Sequence, residues 1–268
     1  MRNIEPASPH LLRIFTHEIL NKKFTIPNVA VTWLIKAVTF DLWNTLLENK
    51  DFTEHRINAL SRILQKEDFQ ISTNALLAAY RSASNYYRRE WEINHRHLQI
   101  GKRIDHILGE LEIELKDDVK LSIVKEFTKA FTIDPPAFKD DVKETLEELS
   151  NRYLMGIISD TGVTPGSVIR NYLQRCGKLK FFSSTVFSDE VGFCKPDIRV
   201  FRKALNELIV KPEEAIHVGD ILRTDIAGAK RARMKAVWLS DRQKKSHEGP
   251  TPDYVIGRLS ELLDILRT

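Results

Sequence analysis

Cysteine is nearly missing from this chain of 268 residues. Cys176 and Cys194 are the only two. That is too few for a disulfide framework, and it sets the expectation of a reducing, cytoplasmic setting. Long apolar runs are missing too. None approaches the roughly 18 residues that cross a bilayer. The N-terminus lacks the basic, then apolar, then small-residue order of a secretory signal. No membrane partner is therefore expected. There is no internal repeat and no low-complexity tract. Charge of one sign is scarce, with 41 Lys and Arg against 37 Asp and Glu, a net charge of +4. That excess suits an anionic small molecule as well as nucleic acid and demands neither. The motifs favour the small molecule, and no nucleic-acid partner is expected.

What is present is an ordinary globular composition, 42% hydrophobic and 29% charged. The chain is long enough for one large domain or two modest ones with a real core. Five short β-branched runs stand out: "KAVTFD" (36–41), "LMGIISD" (154–160), "STVFSD" (184–189), "AIHVGD" (215–220) and "KAVWLS" (235–240). A sixth, "DYVI" (253–256), is weaker. Helical patterns separate the later ones. Strands alternating with helices predict βαβ units around a parallel sheet. Four runs end in aspartate: Asp41, Asp160, Asp189 and Asp220. Ligands of open α/β sheets bind beyond the carboxyl ends of the strands, so these four are expected to converge on one sheet edge.

Residues 51–134 carry no convincing strand. They predict four helices, at about 54–66, 72–95, 100–114 and 117–131, ended by "DPP" at 134–136 because proline disfavours helix at itself and just before. The second helix has an apolar stripe of Leu76, Leu77, Tyr80, Tyr87 and Trp91, read as core of this insertion, and exposed arginines at Arg88 and Arg89. The expected organisation is an α/β core over 35–50 and 135–268, a helical cap over 51–134, and an N-terminal extension, 1–34, of unknown role.

A lone carboxylate at the tip of a buried strand is costly without a partner, so Asp41 needs a metal, a hydrogen-bond cage or a substrate. Four stretches supply candidates: "FDLWNTL" with Asp41 and Thr45, "IISDTG" with Ser159, "GFCKPD" with Lys195, and "HVGDILRTD" with Asp220 and Asp225. Phosphoryl transfer asks for such a set: a nucleophile, charge neutralisation and an aimed donor cage. Asp41 can be the nucleophile, and Asp41 and Asp220 are hard oxygen ligands suited to Mg²⁺.

In the order, spacing and flanks of these four stretches, residues 35–260 resemble the haloacid dehalogenase-like (HAD) hydrolase superfamily. The helical insertion falls where that family places its type 1 cap. The resemblance implies a Rossmann-like sheet, a small phosphorylated substrate, an aspartyl-phosphate at Asp41, and Mg²⁺ held by Asp41, Asp220, Asp225 and the backbone carbonyl of Trp43. It further implies that Thr45, Ser159 and Lys195 serve the chemistry, and that Asn44, Ser159, Asp160 and Lys195 hold the phosphoryl group.

One position departs from the commonest family pattern. A second aspartate stands there two residues after the nucleophile, protonates the leaving group and then activates water, help worth roughly 10²–10⁴-fold. Here the residue is Trp43. Three readings follow. The chain can be a Mg²⁺-dependent phosphohydrolase or phosphotransferase that favours leaving groups needing no proton, or that borrows another acid such as Asp160 or a residue of the cap. It can be a metal-independent 2-haloacid dehalogenase, whose family members carry an aromatic residue at this position. Or it can be a catalytically weak binding or regulatory protein. The Asp220 and Asp225 pair favours the first, because carboxylates without a cation would repel Asp41.

Overall fold

The computed structural model describes residues 34–240 and 249–267. The expectation for the N-terminal extension lies outside the described residues except at Leu34.

All six runs are strands: β1 (Ala37–Phe40), β2 (Leu154–Ser159), β3 (Ser184–Phe187), β4 (Ala215–Gly219), β5 (Lys235–Leu239) and β6 (Tyr254–Ile256). They form one parallel sheet in the order β3-β2-β1-β4-β5-β6. Both faces are covered. Val38, Phe40, Met155, Ile157, Ile216 and Val218 point into one apolar layer, shared with α5 (Val142–Ser150), α6 (Gly166–Arg175) and α9 (Leu262–Arg267). Their strand neighbours Ala37, Ile158, Ala215 and Ala236 point into the other, shared with α7 (Ile198–Leu208) and α8 (Ala227–Arg231). This is why the sheet strands read as near-continuous apolar runs rather than as a clean alternation. β1 lies mid-sheet, and the strand order reverses between it and β4. That reversal is the topological switch point where α/β sheets bind ligands, and Asp41 and Asp220 are the residues that follow these two strands.

Between β1 and β2 the chain makes α1 (Thr53–Lys66), α2 (Thr73–Arg89), α3 (Ile100–Glu110) and α4 (Asp117–Ile133) before α5. The Ser72 hydroxyl caps α2 by accepting from the Ala75 N–H at 3.3 Å. The insertion has its own apolar core, including Ile57, Leu60, Leu76, Tyr80, Ile104, Ile107 and Phe127. Two helices end earlier than expected. α2 passes at Arg89 into a π-turn, Glu90–Asn94, which stops at His95 in the left-handed region (φ 50°); α3 ends before Glu112, also left-handed (φ 55°).

Candidate active site

Two backbone devices set the three carboxyl groups, a strand end for Asp41 and Asp220 and a folded-back turn for Asp225. The Asp41 N–H continues the β1 ladder to the Val218 carbonyl at 2.8 Å, which places its side chain just past the sheet. Asp220 sits at the equivalent position after β4. Asp225 lies in a π-turn, Leu222–Ile226, and its Oδ2 accepts from the Ile221 N–H at 3.0 Å. The turn folds back so closely on β4 that a Cβ on Gly219 would fall 2.3 Å from the Asp225 carboxyl carbon; only glycine fits there. The result is that one carboxylate oxygen from each of Asp41, Asp220 and Asp225 lies within 4.8 Å of the other two.

Lys195 enters this cluster from the loop before α7. Its buried ammonium donates to Asp41 Oδ1 and, at 2.6 Å, to Asp225 Oδ1. Burial opposes the charge on Lys195, yet Asp225 and Asp41 outweigh it and hold its pKa above the ordinary lysine value. Burial likewise opposes charge on Asp225, but Lys195 and His217 hold its carboxyl well below the usual range. Asp41 is pushed well above that range, by burial first and then by Asp225 and Asp220 against the pull of Lys195. Asp220 rises to about 6, through burial and the Asp225 charge. Three carboxyl groups thus share one ammonium, and the raised values of Asp41 and Asp220 report a mutual repulsion that a cation would relieve. Hard oxygens at this spacing, with Asp220 partly open, fit a small divalent cation such as Mg²⁺.

Two hydroxyls beside the cluster have no hydrogen-bond partner: Thr45 Oγ1 and Ser159 Oγ, both buried. Orphaned buried hydroxyls are costly unless a ligand completes them. Thr45 lies four residues after Asp41, and Ser159 closes β2, next to β1 in the sheet. Asn44 adopts the left-handed conformation (φ 56°), tolerable for asparagine, and its side chain hydrogen-bonds Asp220. Asp160 braces the site: its Oδ1 accepts from the Lys195 N–H at 2.9 Å and its Oδ2 from Trp91 Nε1 at 2.8 Å. Asp189 does not join the other strand-end aspartates. Its carboxylate accepts from Thr161 Oγ1 at 2.7 Å and from the Gly166 N–H at 3.1 Å, at the start of α6. A carboxylate at a helix N-terminus satisfies donors there, and that local role holds it away.

A cavity of about 300 Å³ is walled by Trp43, two residues after Asp41, and Asp160 from the core and by Phe52, Arg56, Tyr87 and Trp91 from the insertion. The Trp43 ring packs edge-on against Phe131, with centroids 6.1 Å apart. Of the aromatic stripe on α2, Tyr80 is core as expected, and Arg88 and Arg89 are exposed. Tyr87 and Trp91 are not core. They reach across to the loop after β2, where Tyr87 donates to the Thr161 carbonyl at 2.8 Å and Trp91 to Asp160. Helical spacing marks which side of α2 is apolar; it does not say what that side faces. Arg56 escaped sequence reading altogether. The available signal was a charged residue in register with Leu60 and Leu64 on the buried stripe of α1.

A parallel sheet with an acidic cluster and a buried lysine at its switch point, and a helical insertion after its first strand, is the architecture of one hydrolase family. The chain belongs to the haloacid dehalogenase-like hydrolase family, whose model matches residues 35–233. It is 30% identical over 249 residues to glyceraldehyde 3-phosphate phosphatase of Pyrococcus furiosus, covering 87% of this chain and 93% of that one. Among solved structures it is similar to a 2-haloacid dehalogenase from Pseudomonas syringae (TM-score 0.66, 26% identity) and a HAD phosphatase from Thermococcus onnurineus (TM-score 0.62, 25% identity), covering 87% of this chain and 98% of each. Among the described residues no helix is long and apolar enough to cross a membrane.

Proposed function

We propose that the protein is a cytoplasmic, Mg²⁺-dependent phosphohydrolase of a small phosphorylated metabolite, working through an aspartyl-phosphate at Asp41. The observation that carries this reading is the pairing of the Asp41, Asp220 and Asp225 cluster with the two unpartnered hydroxyls of Thr45 and Ser159. An acidic cluster calls for a cation, and orphaned donors beside it call for an anion. A phosphoryl group with its Mg²⁺ supplies both.

Asp41, Asp220, Asp225 and the Trp43 carbonyl would hold the ion, which neutralises phosphoryl charge when bound. Thr45 and Ser159 donate to phosphoryl oxygens, and Lys195, charged throughout, grips a third. An Asp41 oxygen bonds to phosphorus as the bond from phosphorus to the leaving oxygen breaks. Water then attacks phosphorus, the bond to Asp41 breaks, and inorganic phosphate leaves with Asp41 restored. The Trp43 indole neither protonates the leaving oxygen nor activates that water. Leaving groups of low basicity are favoured for that reason. Helices α1–α4, with residues 51–134 as a cap over the 35–50 and 135–268 core, close the cavity from above.

The test is Mg²⁺-dependent phosphate release across a panel of phosphorylated metabolites, glyceraldehyde 3-phosphate included. Metal-independent halide release from 2-chloropropionate, with no phosphate release, would put the protein with the dehalogenases that share an aromatic residue at the Trp43 position.

A further inference from the structure

The insertion side of the cavity wall holds an unexplained charge. Arg56 is only 7% exposed, yet no carboxylate among the described residues pairs with it. Its bonds go to neutral groups: Nε to the Phe127 carbonyl at 3.3 Å, Nη1 to the Tyr80 hydroxyl at 3.2 Å and Nη2 to the Thr164 hydroxyl at 3.5 Å. The Arg56 charge is felt at Asp51, but Asp51 is exposed, makes no ion pair with Arg56, and is held by the N–H and hydroxyl of Thr53. Five N–H groups less three bonds leave one N–H on each Nη free. Arg103 repeats the pattern. It is 9% exposed, has no carboxylate partner among the described residues, lies over the Tyr87 ring at 4.4 Å, and bonds only Ser84 Oγ at 3.5 Å. Burial and the charge of Arg56 both push its pKa down, so the two guanidinium groups repel each other. Lys50, the third cation near the cavity, is already paired with Asp134.

Buried cations without a counter-charge are expensive, and two that repel are more so. Packing alone would have been served by leucine on these apolar stripes. Both sit on the insertion, and Arg56 lines the cavity together with Trp43, two residues after Asp41, and Asp160, which accepts from the Lys195 N–H.

We infer that Arg56, backed by Arg103, recognises a carboxylate on the leaving part of the substrate, so that the enzyme acts on small phosphomonoesters that are also carboxylic acids. This rests on the phosphohydrolase reading and narrows it. A carboxylate accepts two parallel N–H bonds from one guanidinium and supplies the missing counter-charge. A cavity of about 300 Å³ admits a two- to four-carbon acid.

The test compares kcat/KM for 3-phosphoglycerate and glyceraldehyde 3-phosphate, a pair that differs chiefly in a carboxylate against an aldehyde, with p-nitrophenyl phosphate as reference. Wild-type enzyme is expected to favour the acid by about tenfold or more, and Arg56→Gln to bring the ratio down by on the order of tenfold to a hundredfold, mostly in KM. Arg56→Lys, which keeps the charge and loses the fork, is expected to fall between. Should Arg56→Gln fail to fold, Arg56→Lys carries the ratio test, and the wild type carries an independent one: D-glycerate competes with substrate and glycerol does not. Turnover of p-nitrophenyl phosphate with no acid preference, or with equal inhibition by glycerate and glycerol, overturns this inference alone. No phosphate release from any of the three overturns it together with the reading beneath it.

Discussion

The core edge and the insertion carry opposite electrical debts. On the core side, Asp41, Asp220 and Asp225 outnumber the one ammonium of Lys195. On the insertion side, Arg56 and Arg103 are buried with no carboxylate ion-paired to either among the described residues. The first imbalance suits a cation and the second an anion. A substrate carrying a phosphoryl group with its metal at one end and a carboxylate at the other would settle both. The two sides also differ in how they are built. The core side hangs on strand ends and a glycine-enforced turn, so its geometry follows from the sheet. The insertion side hangs on which face of α1 and α3 meets the core, which depends on packing between units.

The comparison can be broken most severely at Asp41. Asp41→Asn removes the nucleophile and keeps the shape, and phosphate release is expected to fall by on the order of 10³-fold or more, the scale on which removal of a covalent nucleophile is felt. Steady-state assay against folded variant checks this. Lys195→Met attacks the core balance itself. Removing the one buried cation between Asp41 and Asp225 is expected to destabilise by about 3–5 kcal/mol. Mg²⁺ should return part of that, about 2.7 kcal/mol at a hundredfold excess over its dissociation constant. Thermal unfolding with and without the metal reads both effects. A variant that Mg²⁺ does not stabilise more than it stabilises wild type would show that the cluster does not hold the ion.

Trp43→Asp sharpens the contrast by adding a titrating group between the two sides. Alkyl phosphates, whose leaving groups are basic, should gain about ten- to a hundredfold in kcat relative to aryl phosphates, the low end of general acid catalysis. The ratio cancels general damage from the lost indole. An unchanged ratio in a folded, metal-bound variant means that the proton comes from elsewhere. The smallest effect is expected where the sides are tied together. Trp91→Phe keeps the ring and removes the Nε1–H that Asp160 accepts, at a cost of about 1–3 kcal/mol for a bond to a charged group. Chemical denaturation measures it.

Much of this was legible in the sequence, and unevenly. The six strands were readable because each is a short β-branched run ended by polar or turn residues, and the motif aspartates follow directly from strand ends. Asp41, Asp220, Asp225 and Lys195 do come together, although the first and the third lie 184 positions apart in the chain. Asp189 shows the limit. It carries the same strand-end signature as Asp41, yet the start of α6 claims it. Tyr87 and Trp91 show another. Periodicity placed them on the apolar side of α2, but where the stripe leaves the helical core and meets the loop after β2 is decided by how the insertion docks, which a single helix pattern does not encode. Arg56 failed to register for the same reason: that it ion-pairs with no acid among the described residues is a property of three-dimensional neighbours.

The most direct test is single-turnover hydrolysis with Mg²⁺, acid-quenched over time and followed by peptide mass mapping. Because Trp43 cannot activate the water that opens the intermediate, a phosphoryl adduct on Asp41 is expected to build up in wild-type enzyme and then decay as inorganic phosphate appears. Phosphate released at full yield with no adduct on Asp41 at any time, or an adduct formed equally well after the metal is chelated, would contradict the account.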